Sequence, residues 1–280
     1  MTTYQTQWEH HFNASDAQQS PFEDFTFDLG DGSTHGIPGW GNQEREYYIE
    51  SAAAIDDTSN LVITANRMPV ITAENPSGAV SAANPYQAYY GTAAEWTSAK
   101  LTTFNKIAFH YGRMEARIKA PAGLGTWPAF WMLGTDIRNI TWPQCGEIDI
   151  MEGRGDLPST LFGTLHGPGY FGDHGKGKVI DTEVNLSEEF HTYAIEWLPN
   201  QISWFFDDTM YAHNTAEEIA PLEWVYNKPF YLIVNLAMGG HFTGPIAEDL
   251  KQAQMKIDYI RHSSINGVGE IIRGTTPFES

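Results

Sequence analysis

The stretch Gly112-Arg113-Met114-Glu115-Ala116-Arg117-Ile118-Lys119 alternates charged and apolar side chains without a break. Successive side chains of a strand point to opposite faces, so this segment reads as a strand with Met114, Ala116 and Ile118 turned to a core and its charges to water. The same period of two returns at His191–Trp197, where Tyr193 and Ile195 alternate with Thr192 and Glu196, and again at Phe230–Leu236 and Met255–Ile260. Leu61–Ala65 and Ile202–Phe206 are short apolar runs, and Asp207-Asp208 after the second reads as a hairpin turn. Helical periodicity is scarce; its best candidate is a short piece at Ala216–Ile219. Many strands separated by turns indicate an all-β fold, an antiparallel sandwich.

Composition narrows the function. The chain has 280 residues, a length that all-β sandwiches reach as one domain, and no internal repeat or linker divides it. The expectation is a single domain over residues 1–280. Hydrophobic residues make up 41% and charged residues 18%, enough apolar side chain for a full core and too few charges for a disordered chain. The net charge of -19 repels phosphate backbones and anionic lipid, which argues against nucleic acid and membrane partners and leaves a neutral polymer as a suitable one. The single cysteine, Cys145, excludes an internal disulfide. No apolar run is long enough to span a membrane, and Met1–Asn13 is too polar for a signal-peptide core. That pattern fits either a cytoplasmic protein or a secreted one whose signal is absent from this chain. The nine Trp exceed what many cores need, and flat indoles beyond a core stack on flat ligands such as sugar rings.

Two stretches read as long loops able to carry function: Asn75–Thr97, rich in Ala, Pro, Ser and Tyr, and the glycine-rich Gly167–Gly177 with Asp173 and His174. The sharpest chemical feature is Gly146-Glu147-Ile148-Asp149-Ile150-Met151-Glu152-Gly153. In a regular strand Glu147 and Asp149 share a face, while strict alternation sends Glu152 to the side of Ile148 and Ile150. An unpaired carboxylate buried there is costly. A β-bulge at Ile150-Met151 inserts one residue, restores the parity and brings all three acids to one wall. The backbones of Glu147 and Glu152 are then roughly 13 Å apart at about 3.3 Å per step, a gap that two extended side chains on a concave sheet can narrow. Paired carboxylates of this kind suit glycoside cleavage. One is ionised to attack the anomeric carbon and the other protonated to release the leaving oxygen, with about 5 Å between them for retention and roughly 6.5–9.5 Å for inversion. Two acids on one strand favour the shorter separation. Asp149, lying between them, can hold the attacking group in place, and its charge helps keep the acid protonated.

From this motif outward the chain resembles family 16 glycoside hydrolases, in their laminarinase-like branch. The matching blocks run in order: Gly39-Trp40-Gly41-Asn42-Gln43-Glu44, Trp96-Thr97-Ser98-Ala99-Lys100, Tyr111–Glu115, Gly125–Leu133, Glu147–Glu152, Gly163–Gly167, Tyr193–Trp197, Asn235–Gly240 and Ile257–Arg261. The resemblance implies a β-jelly-roll sandwich of two antiparallel sheets with a substrate cleft on the concave face. It implies endo-hydrolysis of β-1,3-glucan with retention, Glu147 as nucleophile, Glu152 as acid/base and Asp149 as helper, with no cofactor in catalysis. Trp127 and Trp131 match aromatic platforms, and Asn42, Arg67, His166 and Asn235 match polar positions around the cut. Each has a plainer reading: the Trp pair as core, His166 as a structural histidine, Arg67 as a surface charge, Asn42 as a turn cap, Asn235 on either the cleft or the outer surface. Asp258 matches the carboxylate ligand of a structural calcium ion on the convex side, although His10 and His11 stand where the family often has an acidic pair. His241 and Phe242 also depart from the family's usual residues. The resemblance implies a secreted enzyme working as a monomer on β-glucan. The alternatives are a β-1,3-1,4-glucanase, whose motif often lacks the extra residue, another family 16 hydrolase or transglycosylase, and a non-catalytic glucan-binding module.

Overall fold

The computed structural model describes residues 2–12, 20–69, 86 and 94–274. They fold into two sheets packed face to face. The first is nine-stranded and runs Lys176–Asp181, Leu157–His166, Glu147–Arg154, Thr126–Gly134, Phe230–Met238, Lys100–Thr102 and Thr26–Asp28, with Ile107–His110 and Glu270–Arg273 attached beside Phe230–Met238. The second is ten-stranded; its central strands are His191–Leu198, Gly112–Lys119, Gln252–Ile265 and Leu61–Arg67. The strands pair antiparallel except Glu46–Tyr48, which lies parallel to Trp96–Ser98. The protein is thus a β-jelly-roll sandwich: the alternating segments predict the antiparallel sandwich, and the family resemblance implies the jelly roll.

The alternation explains the layering. Met114, Ala116 and Ile118 are buried between the sheets, facing Phe130, Met132, Ile148 and Ile150 of the other layer. The charges of the same segment form a network on the outer surface, where Arg113 and Arg261 both meet Glu115. Asp207 and Asp208 adopt φ of 44° and 64°, the left-handed pair that joins two strands in a tight hairpin. Ala216–Ile219 is a single helical turn, closed by Thr215 and Glu218 in a capping box.

Three expectations change. Period two is hidden in Phe230–Met238, because all nine residues are buried. This strand is central in its sheet, with the sandwich core on one side and a polar and aromatic layer on the other. The Asn75–Thr97 loop ends earlier than expected: Trp96 and Thr97 open the strand Trp96–Ser98, and of the rest only Tyr86, Ala94 and Glu95 are among the described residues. The Gly167–Gly177 loop is also shorter, since Lys176 and Gly177 begin a strand.

Phe130 tests the packing, being fully buried on a central strand and part of the main core cluster. Phe130→Ala should cost about 3–5 kcal/mol of unfolding free energy in urea titration, through lost transfer energy and the cavity left behind.

Candidate active site

The strand Glu147–Arg154 holds the three acids, and its register shows how. Against Thr126–Gly134, Phe130 pairs with Met151 while the next residue, Trp131, pairs with Asp149. Against Leu157–His166, Thr164 pairs with Asp149 and Phe162 with Glu152. Both neighbours skip one residue at the same place, so a bulge lies at Ile150-Met151. Ile148, Ile150 and Met151 are buried in the core, and Glu147 and Glu152 are only half-buried on the opposite face.

A bulge interrupts the ladder and needs support elsewhere. Here Trp204 reaches across the core from the other sheet and donates its indole N–H to the Asp149 carbonyl at 2.8 Å. Gly163 makes room for that indole, because a Cβ there would come 2.7 Å from the Trp204 ring. The bulge, the tryptophan and the glycine are one packing unit.

The acidic wall is crowded. His166 pairs in register with Glu147, and its Nε2 lies 3.1 Å from Asp149 Oδ2 and 3.7 Å from Glu147 Oε1. Trp142 donates its indole N–H to Glu147 Oε2 at 2.9 Å. Trp127 does the same for Glu152 Oε1, also at 2.9 Å. Burial raises the proton affinity of all three carboxyls, and the Asp149 side chain is only 3% exposed. Asp149 and Glu152 push Glu147 up further, while His166 and the Trp142 N–H pull it back. At Glu152 the Trp127 N–H and His166 oppose burial, and the charge of Glu44 adds to it. Three carboxyls this close cannot all ionise together, so the wall holds both charge and proton, the two states that a carboxyl pair needs to cut an acetal. Donor atoms of Glu147, Asp149 and His166 lie within 4.8 Å of one another, a span that a cation could bridge only by occupying these same carboxyls. Cys145 offers no competing nucleophile, since burial pushes its thiol up to about 12.

The other sequence-derived positions divide in two. Trp127 and Trp131 alternate with Ala129 and Leu133 on the face that carries the acids, half-buried beside them. Asn235 lies on the same face, buried, where its Oδ1 accepts the Trp131 N–H at 2.7 Å and its Nδ2 donates to the Tyr48 hydroxyl at 3.0 Å. Asn42 is half-buried and donates to Glu44 Oε1 at 3.1 Å. Arg67 is held elsewhere: its guanidinium donates to the carbonyls of Ala247, Glu248 and Leu250 and sits over the Trp96 ring, which ties down a surface segment. Asp258 lies on the other sheet, 2.6 Å from Arg117. Two participants escaped the sequence reading. Trp142 sits in a turn with no periodicity to flag it, and only its spacing of five residues before Glu147 and the surplus of Trp hinted at a role. Trp204 was read only as part of an apolar run.

A two-sheet jelly roll with one face bearing closely set carboxyls, two of them bonded by indole N–H groups, defines a polysaccharide-cleaving hydrolase. Residues 46–261 match the family model for glycosyl hydrolases family 16, and the chain belongs to that family. It is 36% identical over 235 residues to a Beta-glucanase of Rhodothermus marinus, covering 80% of this chain and 75% of that protein. It is 34% identical over 249 residues to a Glucan endo-1,3-beta-glucosidase of Cryptopygus antarcticus, covering 85% and 81%. The laminarinase catalytic domain of Thermotoga maritima superposes with a TM-score of 0.81 at 37% identity, covering 93% of this chain and 98% of that one.

Gly163→Ala should force Trp204 off the Asp149 carbonyl. We expect a stability loss of about 1–3 kcal/mol from overpacking, together with reduced glucan hydrolysis, read by thermal melting and reducing-sugar release. The same substitution at Gly267, where space is open but φ is 82°, should cost some backbone strain and leave hydrolysis unchanged.

Proposed function

We propose that the chain, over residues 1–280, works as one endo-acting catalytic domain that hydrolyses β-1,3-glucan with retention of configuration. The observation that carries this reading is the bulged strand, which turns Glu147 and Glu152 to one face, each held by an indole N–H. Glu147 is the nucleophile. Its carboxylate attacks the anomeric carbon while Glu152 gives its proton to the departing sugar oxygen, so that a glycosyl ester forms as the glycosidic bond breaks. Glu152, now ionised, takes a proton from water. The water attacks the anomeric carbon, Glu147 leaves, and the product keeps its original configuration. Trp142 stabilises the attacking carboxylate and the leaving one alike. Asp149 positions Glu147 and, with it, keeps a proton on the wall. Trp127 and Trp131 offer faces for glucose rings, and Asn42, His166 and Asn235 supply polar atoms next to them. Arg67 shapes the segment at 247–250 and acts on substrate through it.

The extra residue at the bulge supports β-1,3-glucan over the mixed-linkage substrate of the shorter motif. A polysaccharide too large to cross a membrane has to be cut outside the cell, and the residues named here all come from one chain, so the proposed working form is an extracellular monomer. None of the helices in the described residues is long and apolar enough to cross a membrane. Calcium does not suit the Asp258 position as it stands. A hard cation wants several free oxygen ligands, whereas the Asp258 carboxylate is paired to Arg117, and nearby His11 is engaged with Glu9 and packs on Tyr259. We propose that Asp258 serves Arg117.

Glu147→Gln should abolish laminarin hydrolysis, and Glu152→Gln should lower kcat by about 10²–10⁴-fold. Proton NMR at early times should show the β-anomer as first product; an α-anomer would overturn retention. Trp127→Phe removes an N–H that favours ionised Glu152, so Glu152 should keep its proton to higher pH. The alkaline limb of kcat/KM should therefore move upward, which a pH series measures directly. Adding calcium or a chelator should leave the melting temperature unchanged; a rise with calcium would restore the metal to Asp258.

A further inference from the structure

The acidic wall holds polar atoms that its catalytic roles leave unexplained. Asp149 Oδ2 is buried and, among the described residues, no N–H or O–H hydrogen-bonds to it. His166 Nε2 stands 3.1 Å away but is off line for a hydrogen bond to that oxygen. Nδ1 of the same imidazole is also buried, and no described residue hydrogen-bonds to it. Nearly all buried polar atoms find partners, so an oxygen and an imidazole left short of them on one wall point to a ligand. Glu147 Oε1 completes the group, 3.7 Å from His166 Nε2, while Trp142 engages the other Glu147 oxygen, Oε2. Donor atoms of the three residues lie within 4.8 Å of one another.

We propose that His166, Asp149 and Glu147 form a three-ligand site for zinc, and that filling it inhibits the enzyme reversibly, in competition with glucan. The spacing fits the ion. Zinc binds imidazole nitrogen and carboxylate oxygen at about 2.0–2.2 Å in a tetrahedron, so its ligand atoms stand about 3.3–3.6 Å apart. The separations of 3.1 and 3.7 Å from His166 straddle that edge. The distance between the two carboxylates closes to it with a small movement of the half-buried Glu147 side chain. Three protein ligands leave the fourth position for water, as in open zinc sites. Paired strands preset the arrangement, with His166 opposite Glu147 and Thr164 opposite Asp149. The donor set also selects the cation. One imidazole with two carboxylates suits zinc or copper, whereas calcium and magnesium prefer oxygen alone. A dication held by both carboxylates displaces the proton that the wall otherwise carries. With its Oε1 on the metal, Glu147 is no longer free to attack an anomeric carbon. The inhibition rests on the catalytic roles proposed above; the site itself does not. A dedicated zinc centre supports its histidine through the second ring nitrogen, and His166 Nδ1 lacks that support among the described residues, so zinc should leave readily.

Zinc sulfate titrated into the native protein in a non-chelating buffer should bind with one equivalent by calorimetry and raise the melting temperature. It should also stop laminarin hydrolysis, and EDTA should restore it. More laminarin should raise the apparent inhibition constant; inhibition indifferent to laminarin concentration would overturn the competitive site. His166→Gln and Asp149→Asn, each confirmed as folded by circular dichroism, should weaken zinc binding by at least about 10–100-fold, the cost of losing even an outer partner of a metal ligand. His191→Ala removes the imidazole paired to Asp207 on the other sheet and should bind zinc as the native protein does. Cobalt(II) reads the geometry without turnover. The visible bands of a four-coordinate ion should appear in the native protein and be missing from His166→Gln. Zinc affinity that survives both His166→Gln and Asp149→Asn, or is lost in His191→Ala, would overturn the assignment. Zinc bound through these residues with hydrolysis untouched would contradict the proposed catalytic roles instead, so the two readings fail separately.

Discussion

One extra residue in one strand organises this protein's chemistry. With strict alternation, Glu152 would enter the core beside Ile148 and Ile150. The bulge at Ile150-Met151 puts it instead on the face of Glu147 and Asp149. Everything around that irregularity supports it. Trp204 caps the buried Asp149 carbonyl beside the bulge from the opposite sheet, Gly163 leaves room for the indole, and Met151 fills the core where regular pairing is lost. Bulges bend a strand and re-aim its side chains, and here the re-aimed side chain is the proposed acid.

The second constraint is charge density. Glu147, Asp149 and Glu152 on one face, with Glu44 and Glu46 close behind, form an arrangement that folding alone disfavours. The protein manages it with neutral donors more than with opposite charges. Indole N–H groups of Trp142 and Trp127 each satisfy one carboxyl, and His166 and Lys100 are the cations or potential cations in direct reach. A wall assembled in this way favours protonated carboxyls, whereas salt bridges would fix them as carboxylates. The other sheet takes the other course: Arg113, Arg117 and Arg261 pair with Glu115, Glu196, Asp258 and Glu9. The two faces of one sandwich thus use acids in opposite ways.

Much of this was legible in the sequence because its signals are local. Period two at Gly112–Lys119 and His191–Trp197 identifies half-buried strands, Asp207-Asp208 a hairpin, and the parity conflict at Glu152 the bulge itself. Signals fade where both faces of a strand are covered, as in Phe230–Met238, whose buried pattern has no period. They fade also where function depends on contacts between distant segments. Trp142 reaches Glu147 from a turn, Trp204 reaches Asp149 across the core, and the hydrogen bonds of Arg67 to the 247–250 segment link residues some 180 positions apart. No local pattern encodes these meetings. Glu44 stands in a recognisable block, but only the fold shows that Glu46 turns inward, where it accepts the Met238 backbone N–H.

The most direct test traps the covalent step. A laminari-oligosaccharide with fluorine at C2 of the reacting glucose and a dinitrophenyl leaving group should form a glycosyl ester that turns over slowly. Digestion and mass spectrometry should locate one added sugar on Glu147. A label on Asp149 or Glu152, or full turnover with no ester formed, would contradict the assignment of the bulged strand as a nucleophile and acid pair.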